Sequence, residues 1–303
     1  MISVPREPRG ATGNRGEAMA HRTNTPRTAG ALAGVLPLAP AAAAAEEVGK
    51  AEPWQMGLQE AATPLMEQVQ SFHNMMLVII TGIVILVFGL LVYVGWRFHE
   101  RRNPEPSERT ENTTIEVLWT TIPVIILVVI AIPSFKLLYY RDQVPNAEFS
   151  VKAIGKQWYW AYEYPDHGGF GFNSFMKDAA EIERDKNEFR KLAVTQPVVI
   201  PVDTTVRFLT TSTDVLHSFT VPSFGIKQDS IPGEMNQTWA RVKEEGIYYG
   251  QCSELCGVGH ANMPIAVKVV SQDEFQDWIE TKQAEAGIGE GDRQLASTGA
   301  AAE

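Results

Sequence analysis

Two runs of this sequence contain no charged residue: Met75 to Trp96, "MMLVIITGIVILVFGLLVYVGW", and Val117 to Phe135, "VLWTTIPVIILVVIAIPSF". At about 1.5 Å of rise per residue they make helices of roughly 33 and 28 Å, which match a hydrocarbon core of about 30 Å. Buried helices of a soluble protein ordinarily keep a polar face, and neither run has one. Pro123 and Pro133 lie inside the second run. A spanning helix tolerates them where a neighbouring helix satisfies the freed carbonyls. Residues 46–145 are therefore predicted to form a transmembrane hairpin with spans at 75–96 and 117–135.

The loop between the spans carries Arg97, Arg101, Arg102 and Arg109, whereas residues 46–74 offer only Lys50. By the positive-inside rule the loop is cytoplasmic, and Lys136 and Arg141 beyond the second span weaken the asymmetry without reversing it. Everything after about residue 140 then lies outside the cytoplasm. Residues 1–45 read as a signal peptide or N-terminal extension: from Met19 a basic stretch is followed by a short apolar one and by small residues suited to cleavage near Ala45. Such a leader places the chain in a bacterial inner membrane with its large domain in the periplasm. Residues 286–303, rich in Gly, Ala and acids, read as a disordered tail.

From Ala147 onward there are 23 acidic and 14 basic side chains, a balance of −9 out of −10 for the whole chain. That field argues against nucleic acid and would steer a basic partner toward the domain. Short β-rich runs recur through it, among them "FSVKAI", "QWYWAYEY", "VVIPVDTTVRFLTT", "HSFTVP", "QTWARV" and "AVKVV", broken by Pro, Gly and Asp. They predict an all-β sandwich or Greek-key barrel over 147–285, closed by a helix after Ser271. The whole chain is thus a membrane-anchored α+β protein.

Both cysteines of the chain fall in "GQCSELCGVGHANMPI", where Cys252, Cys256, His260 and Met263 lie within twelve positions. A disulfide would explain two of the four, and zinc does not ordinarily take methionine. Copper takes thiolate, imidazole and thioether together, because soft sulfur suits Cu(I) and imidazole serves both oxidation states. A further imidazole must come from His167 or His217. His217, in the strand-like "TSTDVLHSFTVP", is the better placed, since His167 sits in the Gly-rich turn "PDHGGFGF". The second cysteine exceeds the needs of one ion, and two thiolates separated by three residues can bridge a pair of copper ions.

This constellation resembles the binuclear copper A centre of the cytochrome c oxidase subunit II family, over about residues 70–280. The resemblance implies a cupredoxin-like β-barrel in which Cys252 and Cys256 bridge two coppers and His217 and His260 supply the imidazoles. Met263 and the backbone carbonyl of Glu254 are then the weak ligands. It further implies Mg²⁺ or Mn²⁺ on the Glu254 carboxylate at the boundary with subunit I. Trp158, in "GKQWYWAYEYP", becomes the residue through which electrons arrive from cytochrome c, with Glu163 and Asp214 in its acidic docking patch. Glu116, in "TIEVLWTTIP", marks the entrance of a proton pathway. "GIKQDSIPGEMNQ" matches a segment near subunit I, although Glu234 stands where relatives commonly carry a basic residue. Haem belongs only to the partner subunit I, subunit III is a further partner, and lipid surrounds the spans. Rival readings are a copper A subunit of a nitric oxide or nitrous oxide reductase, and a copper chaperone. The paired spans count against nitrous oxide reductase. An upstream histidine and a downstream methionine count against a chaperone.

Overall fold

The computed structural model describes residues 47–183 and 188–289, so the expected leader and most of the expected tail lie outside the described residues. Both apolar runs are helical and sit inside longer elements: α1 spans Pro64–Arg97 and α2 spans Thr113–Asp142. Thr63 caps α1, accepting from the Met66 amide at 3.1 Å and donating to the Phe224 carbonyl at 2.7 Å, with Pro64 behind it at the first helical position. This tie fastens the helix start to the β domain. Asn112 caps α2 by accepting from the Ile115 amide at 3.2 Å, and α2 continues through both prolines. The apolar side chains of both helices face outward, as lipid-facing residues do.

The β domain is built from ten strands downstream of α2: β2 (Phe149–Lys156), β3 (Tyr159–Tyr164), β4 (Phe170–Ser174), β5 (Val198–Pro201), β6 (Thr205–Ser212), β7 (His217–Val221), β8 (Ile226–Ser230), β9 (Asn236–Arg241), β10 (Gly246–Gln251) and β11 (Pro264–Val270). One more comes from upstream of the hairpin. Glu47–Gly49, here β1, pairs in parallel with β10, so the segment expected to belong to the hairpin from residue 46 also contributes to the sheet. The sheets run β1-β10-β11-β5 and β4-β3-β2-β6-β9, with β7-β8 as a separate hairpin.

All three sheets share one core, in which Trp160, Tyr162, Tyr164, Phe208, Phe219, Phe224, Ile200 and Ile265 are fully buried. The period-two aromatics of "QWYWAYEY" thus divide as strand geometry demands, with Trp160, Tyr162 and Tyr164 on the inward face. The Tyr164 hydroxyl bridges two sheets by donating to the Val199 carbonyl at 2.8 Å and accepting its amide at 3.0 Å. The long run "VVIPVDTTVRFLTT" breaks into β5 and β6 at Asp203, whose φ of 53° turns the chain. The closing helix, α3 (Gln272–Glu285), is capped by Ser271 and buries Phe275 and Ile279.

Candidate metal centre

The six expected ligands come from two places on one end of the β domain. His217 opens β7, fully buried, with no room beside it: a Cβ on Gly155 of the adjoining β2 would lie 2.7 Å from its ring. The remaining five lie in the loop between β10 and β11, where a 3-10 turn at His260–Asn262 leads directly into Met263. Cys252, Cys256 and Met263 are buried there, and His260 is half-buried.

The two thiols are free, with their sulfurs 3.9 Å apart, far beyond a disulfide bond of about 2.05 Å. Each sulfur faces one imidazole and one weaker donor. Cys252 Sγ lies 3.9 Å from His217 Nδ1 and 3.3 Å from the Glu254 carbonyl oxygen. Cys256 Sγ lies 3.6 Å from His260 Nδ1 and 3.6 Å from Met263 Sδ. Ligand atoms of His217, Cys252 and Cys256 all fall within 4.8 Å of one another. A duplicated set of thiolate, imidazole and weak donor fits a pair of soft metal ions and leaves no expected ligand idle.

Electrostatics prepares one thiol ahead of the other. Burial opposes ionisation of Cys252, but hydrogen bonds with His217 and with the backbone of Ser218 and Glu254 outweigh it and draw the thiol below its ordinary range. At Cys256 burial acts in the same direction as the neighbouring Cys252 charge, and both push the thiol up. A cation held by these residues would offset that repulsion and favour loss of the second proton.

Around the ligands lies a supporting layer in which the sequence reading gave Asp214 and Trp158 other roles and did not single out Gln157, Trp160 or Lys191. Asp214 Oδ1 accepts from His217 Nε2 at 2.9 Å, which leaves the Nδ1 lone pair turned toward Cys252. The same carboxylate accepts the Gln157 amide at 2.7 Å. Gln157 Nε2 and Trp158 Nε1 both donate to the Cys256 carbonyl, at 2.9 and 3.1 Å, and Trp160 Nε1 donates to the Met263 carbonyl at 3.2 Å. Lys191 reaches the turn from outside through Asn262, at 2.6 Å. Trp158 is half-buried and packs on Gly257 and Gly259, so that a Cβ on Gly259 would overlap its ring. The indole therefore spans the distance from the surface to the ligand loop.

Of the other expected residues, Asp214 joins this cluster and Glu163 and Glu116 do not. Glu163, on β3, pairs with Lys152 at 2.8 Å. Asp214 is at the surface but is engaged by His217, so its first role here is to orient a ligand. Glu116 stands at the far end of the hairpin, where its carboxylate accepts the Asn112 amide at 3.1 Å and helps close the start of α2. His167 packs against Phe149, Tyr164 and Phe275, consistent with the choice of His217 over it.

Two family models match this sequence: the periplasmic domain of cytochrome c oxidase subunit II over residues 149–270, and its transmembrane domain over residues 51–137. A probable cytochrome c oxidase subunit 2 of Rickettsia bellii is 48% identical over 245 residues, covering 81% of this chain and 90% of that one. The cytochrome c oxidase subunit 2 of Cereibacter sphaeroides is 41% identical over 282 residues, covering 86% and 92%. Among solved structures, the periplasmic domain of subunit II of cytochrome oxidase from Bradyrhizobium japonicum is 48% identical, covering 47% of this chain and 99% of that one, with a TM-score of 0.44.

Proposed function

The chain belongs to the cytochrome c oxidase subunit II family, and from that premise we propose that it receives electrons from a cytochrome c at a binuclear copper site formed by His217, Cys252, the Glu254 carbonyl, Cys256, His260 and Met263. The reaction served is that of a haem-copper oxidase, in which oxygen is reduced to water on a different subunit. Relatives named as oxidase subunits favour this reading over a reductase. The observation that carries the site is the pair of free buried thiols 3.9 Å apart, each facing its own imidazole. Copper held by these residues would supply a one-electron redox couple.

The protein's own part is to hold the ligands still. Gln157, Trp158 and Trp160 fix the ligand loop from one strand region, and Asp214 fixes His217, so little has to move when the charge changes. Trp158 gives an incoming electron a path from the surface to the Cys256 peptide. The excess of acid in the domain, with Asp214 beside the ligands and Glu163 on β3, draws in a lysine-rich donor. In this reading the β domain is periplasmic and the hairpin lies in the bacterial inner membrane, beside subunit I.

Stopped-flow reduction by cytochrome c tests the electron path. The wild-type rate should fall as salt rises, because the Debye length shrinks to about 8 Å at physiological strength. Trp158→Ala should slow transfer within the complex by about tenfold, ~1.4 kcal/mol on the barrier, with affinity little changed. Lost affinity with an unchanged internal rate would make Trp158 a packing residue only.

For Glu254 we assign two functions to one residue. Its carbonyl faces Cys252, while its half-buried carboxylate has no partner among the described residues and is free to take Mg²⁺ or Mn²⁺ against subunit I. Glu254→Ala should keep both coppers, since any residue supplies the carbonyl, while the purified complex loses most of its Mg²⁺ and Mn²⁺. Equal hard-metal content in variant and wild type would remove the carboxylate from this role.

A further inference from the structure

A groove of about 760 Å³ opens between α1 and α2 on the side of the membrane where the β domain stands. One wall is Gln68, Ser71, Phe72 and Met75, and the other includes Pro133, Lys136, Leu137 and Tyr140. Each set is spaced i, i+3, i+4, i+7, one helix stripe, with Tyr139 and Gln143 widening the α2 wall at the top, and the two stripes leave a trough between them. The size lies within the range of small-molecule sites, about 300–1,000 Å³.

The lining changes character with depth. α1 descends from the β domain into the membrane, so Gln68 and Ser71 stand above Phe72 and Met75. α2 rises toward it, so Pro133 lies deepest and Lys136 and Leu137 follow, with Tyr140 at the top packed on Trp239 at 5.5 Å between ring centroids. Seven residues of helix cover roughly 10 Å, the depth over which a bilayer passes from acyl chain to headgroup. Lys136 is the first charged residue after the apolar run and has no ion-pair or hydrogen-bond partner among the described residues. Its ammonium is exposed at that depth, where a phosphate complements its charge, and the apolar floor beneath it suits hydrocarbon.

We propose that this groove is a phospholipid site, in which Lys136 and the polar upper rim hold the phosphate and the lower lining holds the first part of an acyl chain. A bound lipid then fills the gap between the two helices below the Tyr140–Trp239 contact that joins α2 to the β domain. The occupant is a lipid phosphate because one unpaired cation sits at headgroup level above an apolar floor.

The test is native mass spectrometry of the intact purified complex, delipidated and titrated with phosphatidylglycerol. Wild type should retain a phospholipid adduct that Lys136→Glu weakens by about tenfold and that Ser71→Trp, which fills the trough without touching the charge, also weakens. Arg141→Gln, nearby but paired with Asp142, should leave the adduct unchanged. Equal adducts in wild type, Lys136→Glu and Ser71→Trp overturn the proposal. So does a map of the assembled oxidase with a helix of another subunit seated in the groove.

Discussion

Cys252→Ser is expected to abolish the shared-electron copper signal and to reduce turnover with cytochrome c by at least about a hundredfold, ~2.7 kcal/mol on the barrier. The two sulfurs stand 3.9 Å apart with an imidazole on each flank, so either ion of a pair depends on both of them. A serine hydroxyl nearly matches the thiol in size but is a hard, protonated donor that soft copper does not favour. The site is buried and the change is small, so the fold should survive and far-ultraviolet circular dichroism should be unchanged. Copper analysis and electron paramagnetic resonance of the purified chain decide the matter. Two coppers per chain with the shared-electron spectrum intact would overturn the binuclear assignment. Cys256→Ser should behave alike, because its sulfur faces His260 and Met263 as Cys252 faces His217 and Glu254.

The largest effect on the fold is expected from Gly250→Ala. A Cβ at Gly250, on β10, would overlap the carbonyl oxygen of Thr220 on β7. Backbone cannot rotate out of the way as a side chain can, so the two strands must part. Overpacking of this kind costs about 3 kcal/mol, at the upper end of its usual range. For a domain of this size that lowers the melting temperature by roughly 6–12 °C. Cys252 lies two residues beyond, and the Ser253 amide donates to the Ser218 carbonyl at 3.1 Å, so parting these strands also draws Cys252 away from His217. Copper should therefore dissociate more readily as well. Gly57→Ala, at a position with nothing within 4 Å of the added carbon, is the control. A Gly250→Ala protein that melts with wild type and keeps its copper would contradict this packing.

How far the fold could be read in advance depended on whether a signal was local. The spans were legible because lipid removes every charge from a stretch of chain, and no neighbour is needed to see it. Their ends were not: α1 begins at Pro64, eleven residues before the apolar run, because Thr63 caps it on Phe224 and Leu65 and Met66 bury themselves in the β domain. β2, β7, β9 and β11 follow β-rich runs quoted from the sequence, and β5 and β6 share one. β1 has no such pattern in its three residues, and exists because β10 offers an edge.

The same division holds at the candidate site. Five of the ligand residues are clustered in sequence, and His217 could be chosen over His167 by the strand around it. The supporting groups are not clustered. Gln157 and Trp158 reach the Cys256 carbonyl across about a hundred residues, a relation set only when the β2–β3 turn of one sheet packs against the β10–β11 loop of another. Asp214 had one local clue, its position three residues before His217, and it was read instead as a docking acid. Its bond to His217 Nε2 shows why a surface carboxylate near a metal ligand deserves the positioning reading as well.

The pairing of β1 with β10 means that the β domain is assembled from both sides of the hairpin. Its first strand is synthesised before either span and its last strands after both. During export that strand must cross ahead of the helices and wait, unpaired, until more than a hundred further residues have been made and the second span has been threaded. Completion of the sheet is thereby tied to completion of the membrane topology. A chain whose hairpin inserted the wrong way round would leave β1 and β10 on the wrong side together, while one that inserted only a single span would part them across the bilayer. A half-threaded subunit would therefore lack the β1–β10 sheet edge.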